Sequence, residues 1–433
     1  MYALLILYAF TMKEEFLHYV WKNKKFPLHS LKTAQGENLQ VLHSGVQLNQ
    51  SGPDFFNVQL IIDGQKWAGN VEIHLKASDW YHHHHHLNDQ YDNCILHIVW
   101  EHDISVFRKD NTEIPVLILQ NYVPKELITQ YEKLKIKKEW INCEGKLNQI
   151  PEFIISNWVE RLYFERLELK NESIKKLLEE TNYDWEAVFF ITLTKNFGLN
   201  VNGEAFLSLA RTIPFSILKK ESFDLNYIEA LLFGMAGLLP LEPQENYEKD
   251  LVELYEYIKI KYRLKPNHIE RFEFYRLRPD NFPTIRIAQI AMLYHIQKNI
   301  FTLATDATSV EDFYKIFSVG VSDYWESHYN FQKKSNHKEK KISRMFVELL
   351  LVNAILPIRF AYTQYKNKND IDLMLIEKIR PEKNKIIDYF EHYGVKAKNA
   401  MQSQGLIQLK KKYCDANRCL QCAIGVEFLK SEK

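Results

Sequence analysis

Near residue 125 the apolar pattern of this chain changes its period, so one kind of secondary structure cannot serve both halves. Between residues 37 and 120 the apolar residues fall into short runs at 39–46, 54–62, 66–76, 94–101 and 113–119, rich in Val, Ile, Leu and aromatics and parted by turn residues. Such runs read as strands. Asp63-Gly64, between the second and third, is a two-residue hairpin signal. Ahead of them Phe16, Leu17, Val20 and Trp21 recur at helical spacing within 13–22. Beyond residue 125 nearly everything carries the 3.6-residue period: 152–180, 184–197, 203–212, 226–236, 246–262, 284–300, 310–317, 339–353, 369–379 and 382–392. The expected fold is an α+β domain over residues 1–124, a mostly α-helical domain over 125–405 and a cysteine-bearing tail over 406–433. No fixed repeat marks a solenoid.

Composition narrows the function classes. In 433 residues, Lys+Arg is 56 against Asp+Glu 55, a net charge of +1. A uniformly basic nucleic-acid coat is excluded, and any nucleic-acid contact must come from local patches. With 14 Gly and 13 Pro the chain is no linker or collagen-like sequence, and 13% aromatics imply substantial cores. Five cysteines, three of them near the end, are not a secreted disulfide framework. Residues 1–11 are nearly all apolar but lack a basic leader and are too short to span a bilayer; Met12 is an alternative start. No later stretch approaches about 20 apolar residues, so a cytoplasmic protein with no membrane partner is expected. Gln332–Lys341 reads as an exposed, mobile loop.

The chemistry concentrates in the strand region. Asp54 follows Ser51-Gly-Pro53, and eighteen residues later comes Glu72-Ile-His74, with Lys76 two positions on. A strand places Glu72, His74 and Lys76 on one face and Val71, Ile73 and Leu75 on the other. A carboxylate on each of two neighbouring strands can hold a hard divalent cation beside a phosphate, and an adjacent base or cation can orient the attacking water. Register imposes a condition. A two-residue Asp63-Gly64 turn pairs 62 with 65 and therefore 54 with 73, which turns Asp54 away from Glu72. A bulge at Gly69-Asn70 or Gly64 would pair 54 with 74 and restore the shared face.

Pro53-Asp54…Glu72-x-His74, in this order of elements, resembles the PD-(D/E)xK nuclease superfamily. The resemblance implies a mixed sheet flanked by helices that cleaves phosphodiesters with Mg²⁺ or Mn²⁺. Asp54 and Glu72 would then be the ion's ligands, with His74, or Lys76 on the same face, in the superfamily's lysine role. Nearly the whole chain also resembles a bacterial family of unknown function. The residues that carry this are Ser51–Phe55, Gly69–His74, Ser78-Asp-Trp80 through Tyr91–Asn93, Leu96–Trp100, Arg278–Pro283 and Cys414–Cys422.

Eight of sixteen histidines fall between residues 74 and 102, five of them consecutive at His82–His86. These imidazoles can ligate metal, relay protons or contact phosphate; His82, His84 and Asp89 are the auxiliary candidates, and His97 reads as an ordinary sheet residue. Cys414, Cys419 and Cys422 suit Zn²⁺ or an iron–sulfur cluster, with Cys143 as fourth ligand. That arrangement resembles the iron–sulfur nucleases of recombination and CRISPR adaptation, in which one cysteine and a C-terminal triplet staple the nuclease domain; there the lone cysteine precedes the core, whereas Cys143 follows it. Basic patches at Lys133–Lys138, Lys333–Lys341 and Lys410–Lys412, and Arg276, Arg278 and Arg286 around Pro279–Pro283, are candidate phosphate contacts. No Walker A loop, dinucleotide fingerprint or nucleophile elbow is present. The expected function is a metal-dependent nuclease or nuclease-fold binder of DNA or RNA, with the helical domain binding substrate or a protein partner. The competing classes are a non-catalytic scaffold and a histidine-dependent metallohydrolase.

Overall fold

A computed structural model describes residues 12–47, 52–135, 140–265, 269–367 and 373–430. The apolar start at 1–11, Ser51, and Lys137 and Lys138 of the first basic patch lie outside the described residues. The chain divides into two compact units, Met1–Ile155 with Lys410–Lys433, and Ser156–Leu409.

In the first unit, helix α1 (Glu14–Lys22) leads into strands β1 (Leu31–Lys32), β2 (Asn38–His43), β3 (Val46–Gln47), β4 (Phe55–Ile62) and β5 (Gln65–Lys76). A short helix α2 (Asp79–His82) precedes β6 (Cys94–Glu101) and β7 (Val116–Ile118), and helix α3 (Lys125–Lys135) follows. Among the described residues, seven strands form one mixed sheet in the order β1-β2-β4-β5-β6-β7, with β3 on β4. The β4–β5 hairpin is antiparallel with Ile62 opposite Gln65, so its turn has two residues. Asp63 and Gly64 both have positive φ, 44° and 82°, as the tight turn matching strand twist requires. β5 and β6 are parallel, which requires a crossover. Residues 77–93, including the histidine run, are that crossover.

One face of the sheet buries Val71, Ile73, Leu96 and Ile98 with Phe16, Leu17, Val20 and Trp21 of α1. Acidic residues in the first turn of α1 and Lys22 in its last complement the helix dipole. A smaller core on the crossover side gathers Trp80, Tyr91, Cys94, Val99 and Val116. The expected boundary at 124 is too early. Leu127, Tyr131 and Leu134 of α3 are part of the sheet core, and so are Phe428 and Leu429 of the tail. The tail is therefore part of this unit and no separate segment, because burying those side chains removes their apolar surface from water.

The second unit is helical around one large core, beginning with α4 (Glu152–Glu180). Arg344–Tyr365 is long and apolar enough for a membrane span by composition, contrary to the expectation from sequence, but 67% of an 18-residue apolar window within it is buried inside the protein. A π-helical segment at Leu351–Ile355 interrupts it. There the Lys170 Nζ donates to the carbonyls of Val352 and Asn353 at 3.3 and 3.5 Å, satisfying acceptors that the altered helix releases. The expected loop Gln332–Lys341 is held down. His328–Asn330 pairs with Lys333–Lys334, and Lys340 is 4% exposed with its amine on the carbonyls of Glu326 and His328.

Candidate metal centre

The site forms where the β4–β5 ladder departs from regular pairing. From Ile62 opposite Gln65 the register runs evenly to Val58 opposite Gly69, then shifts so that Phe55 faces Val71. The extra residue lies on β4, where Asn57 takes φ 56°. The bulge that the site requires is thus on the strand opposite to Gly69-Asn70, and it sets Asp54 against Glu72. The two residues clasp each other. The Asp54 N–H donates to Glu72 Oε2 at 3.0 Å, and the Ile73 N–H donates to Asp54 Oδ2 at 3.0 Å. From α1, His18 Nε2 lies 3.2 Å from Asp54 Oδ2.

On the other side of Glu72 the imidazoles gather. His74 Nε2 is 3.5 Å and His85 Nε2 3.2 Å from Glu72 Oε1. His74 Nε2 lies 3.0 Å from His83 Nδ1, and His74 Nδ1 lies 2.8 Å from His97 Nε2. The ligand atoms of His74, His83 and His85 all fall within 4.8 Å of one another. The crossover achieves this through its local conformation. After one turn of α2, His83 caps the helix, His84 adopts φ 60°, and a 3-10 turn opens at His85. The left-handed residue between them brings His83 and His85 back to the same side. Trp80 and Tyr91 hold His85 in place, Tyr91 stacking on it with centroids 3.9 Å apart.

Burial sets the protonation states of the metal-free site. It pulls His74 down to about 2 and His97 to about 3, with neighbouring imidazoles adding to it, so both are neutral. Burial also lowers His85. Burial, then the charge of Asp54, pushes Glu72 up to about 9. Burial opposes a charge on His18, but its hydrogen bond with Asp54 and the nearby carboxylates outweigh this and raise it. Glu14 is raised by burial. The site can therefore offer neutral imidazole nitrogens and, on loss of one proton, two carboxylates.

The structure brings Asp54, Glu72 and His74 together and leaves other candidates apart. Lys76 is exposed and pairs with Glu101 at 3.4 Å. His82 is exposed beside Asp79, His84 is exposed, and Asp89 pairs with Lys109. Arg276 and Arg278 are exposed, but Arg286 is 6% exposed, lies 3.6 Å over the Phe346 ring and bonds Gln289 and Asn281. Arg286 is thus a packing residue with no surface to give a phosphate. Sequence reasoning missed His18, His83, His85 and the role of His97. Glu14 and His18 stand four apart on one helix face, a spacing that marks them. The parity of the histidine run had no such mark.

The thiols are also gathered. Cys143 is pushed up by burial and then by Cys422 and Cys419; Cys414 is pushed up by burial and then by Cys143, Cys422 and Cys419. Asn142, next to Cys143, donates to the Cys419 sulfur at 3.4 Å and to Asn417 at 3.2 Å. None of these four cysteines is in a disulfide. A bound cation would favour the thiolate form, which is the form metals bind.

The family model described as "Protein of unknown function (DUF2851)" matches residues 14–385, which takes in the sheet, the crossover and most of the helices and ends before the cysteine triplet. No curated protein and no solved structure matches the chain.

Proposed function

The chain belongs to the DUF2851 family, and we propose that its first unit is a divalent-cation-dependent nuclease acting on DNA or RNA, with Asp54 and Glu72 as ligands of Mg²⁺ or Mn²⁺. The observation that carries this reading is the clasp of Asp54 and Glu72, each accepting a backbone N–H from the other's strand at 3.0 Å. The element order supports it: a helix, an antiparallel run whose three long strands are β2, β4 and β5, a crossover and two parallel strands. So do the positions of the acids, one preceding the second long strand and one within the third, as in the PD-(D/E)xK superfamily.

A bound divalent cation would polarise the phosphodiester and lower the pKa of its water. Asp54 and Glu72 would fix the ion where the backbone N–H groups already orient their oxygens. His18, held charged by Asp54, would stabilise the negative charge that develops on phosphate. His74, kept neutral by burial and backed by His97, would stand in the position where the superfamily uses lysine. The four thiols would hold Zn²⁺ or an iron–sulfur cluster that ties the tail to the sheet unit, and the helical unit would bind substrate or a protein partner.

The test is cleavage of single- and double-stranded DNA and RNA with Mn²⁺. Glu72→Gln and Asp54→Asn should each reduce it by at least about 10²-fold, more than loss of a supporting residue around a metal typically costs. A wild-type protein that binds nucleic acid tightly yet cleaves none supports the scaffold. Hydrolysis of small esters or amides instead, lost on removal of His83 or His85, supports a histidine-dependent metallohydrolase, which the convergence of three imidazoles favours as the second reading.

A further inference from the structure

The geometry points to a second cation site, a transition-metal centre made by His74 Nε2, His83 Nδ1, His85 Nε2 and Glu72 Oε1, which pins the histidine-bearing crossover to the sheet. It rests on the reading above at two residues: Glu72 serves both centres, with Oε2 on the Asp54 side and Oε1 on the imidazole side, and His74, in the lysine position, turns Nε2 toward the second ion.

Distance argues for it first. Four ligands at 2.0–2.1 Å around a tetrahedral ion stand roughly 3.3–3.4 Å from one another. Three of the six ligand-to-ligand separations are 3.0 Å for His74 Nε2 to His83 Nδ1, 3.5 Å for His74 Nε2 to Glu72 Oε1 and 3.2 Å for His85 Nε2 to Glu72 Oε1, and the three imidazole ligand atoms all lie within 4.8 Å of one another. Each of those three separations lies within about 0.4 Å of the edge such a coordination needs.

Unsatisfied atoms argue for it second. The His85 side chain is 10% exposed, and its Nε2 is buried with no hydrogen-bond partner although Glu72 Oε1 lies beside it. A buried nitrogen left this way is costly unless something fills the gap.

Support behind the ligands is the third argument. A ligating imidazole ordinarily offers its other nitrogen to a fixed partner, which sets the tautomer. His74 does so, with Nδ1 2.8 Å from His97 Nε2. If His74 Nδ1–H donates to His97, His74 Nε2 carries its lone pair toward the other ligands. His85 is clamped by Tyr91 and Trp80. Local conformation is the fourth, since His84 at φ 60° places its two neighbours together. Three imidazoles and one carboxylate oxygen suit Zn²⁺, Fe²⁺, Co²⁺ or Ni²⁺ better than Mg²⁺. His83 is exposed, so an ion can enter from solvent.

The probe is Zn²⁺ alone, its bound equivalents measured by elemental analysis on the full chain after dialysis against a buffered free-zinc level. The wild type is compared with H83A/H85A, both changes lying on the partly exposed crossover, and with H82A/H84N, which removes the two alternate histidines while Asn still tolerates the left-handed position. Any zinc on the cysteines is common to all three and cancels. H83A/H85A should lose one equivalent, or weaken its binding at least about tenfold, and H82A/H84N should keep it. Asp54→Asn should also keep it while abolishing nuclease activity. Equal zinc in wild type and H83A/H85A overturns the centre, as does equal loss in the two double variants, which would mean adventitious binding to a histidine tract. A protein inert on nucleic acid that still loses its equivalent in H83A/H85A overturns the nuclease reading alone.

Discussion

At the level of single residues, charge states in the metal-free site follow from burial and are testable. The folded state holds a proton on Glu72 up to about pH 9, whereas the unfolded chain releases it near 4.5. That contribution to stability is full below 4.5 and is lost as pH rises through about 9. His74 and His97 act in the opposite sense. The unfolded chain protonates them near 6.5, and the fold resists until about 2 and 3, so stability is lost as pH falls below 6.5. Between 4.5 and 6.5 the two histidines outweigh the one glutamate, so these three residues place the maximum of their joint contribution near 6.5. Glu72→Gln keeps the shape and cannot ionise, so the melting temperature should fall less between pH 6 and 9 than in the wild type. The variant should be about 1–3 kcal/mol more stable than wild type at pH 7 even as it loses cleavage. Parallel melting curves across that range would mean that Glu72 is already ionised in the fold. His97→Gln should cost zinc affinity about 10–100-fold without removing any ligand.

At the level of elements, the bulge in β4 is the device that makes the site. Regular pairing from the Asp63-Gly64 turn would set Asp54 opposite Ile73; one extra residue, with Asn57 at φ 56°, sets it opposite Glu72. Asn57→Gly accepts that conformation and should retain both fold and cleavage. Asn57→Val does not, and should destabilise by about 1–2 kcal/mol and lose most cleavage as the ladder strains toward regular register. Denaturant midpoints and Mn²⁺-dependent cleavage, measured side by side, check the pair; equal behaviour of the two variants would show that the bulge does not depend on residue 57. The sequence reading puts the bulge at Gly69-Asn70 or Gly64 and pairs residue 54 with 74; the structure puts it on β4 and pairs 54 with 72, and both keep Asp54 on the Glu72 face because a bulge on either strand restores parity.

At the level of the whole molecule, the first unit is closed by a segment almost 300 residues away from the sheet in sequence, since Lys410–Lys433 belongs with Met1–Ile155. Phe428 is 7% exposed and Leu429 4%, both within the sheet unit's core, and Lys146 Nζ sits 5.1 Å over the Phe428 ring. Phe428→Ala should therefore destabilise the sheet unit by about 3 kcal/mol or more. Hydrogen exchange should speed up in β5 and β6 and stay unchanged in the Phe189–Phe233 region of the helical core. Uniform loss of protection through both units would show instead that they unfold as one.

The sequence by itself determined the elements and their order. Period-two runs and an Asp-Gly turn specify the β4–β5 hairpin, and the 3.6-residue period specifies Glu152–Glu180. It also singled out Asp54, Glu72 and His74, through the spacing of carboxylates and imidazole along alternating strands, and the fold brings those three together. Tertiary structure alone decided which members of the histidine run turn inward. That depends on a single left-handed residue and on where the crossover meets the sheet, and five identical side chains carry no pattern from which to read it. Tertiary structure likewise decided that Arg286 and Lys340 are buried, that His18 reaches Asp54 from a helix, and that the tail joins the sheet. Local propensity acts over a turn or a strand, whereas these placements arise from contacts between residues tens to hundreds of positions apart. Only the packed chain brings those residues together.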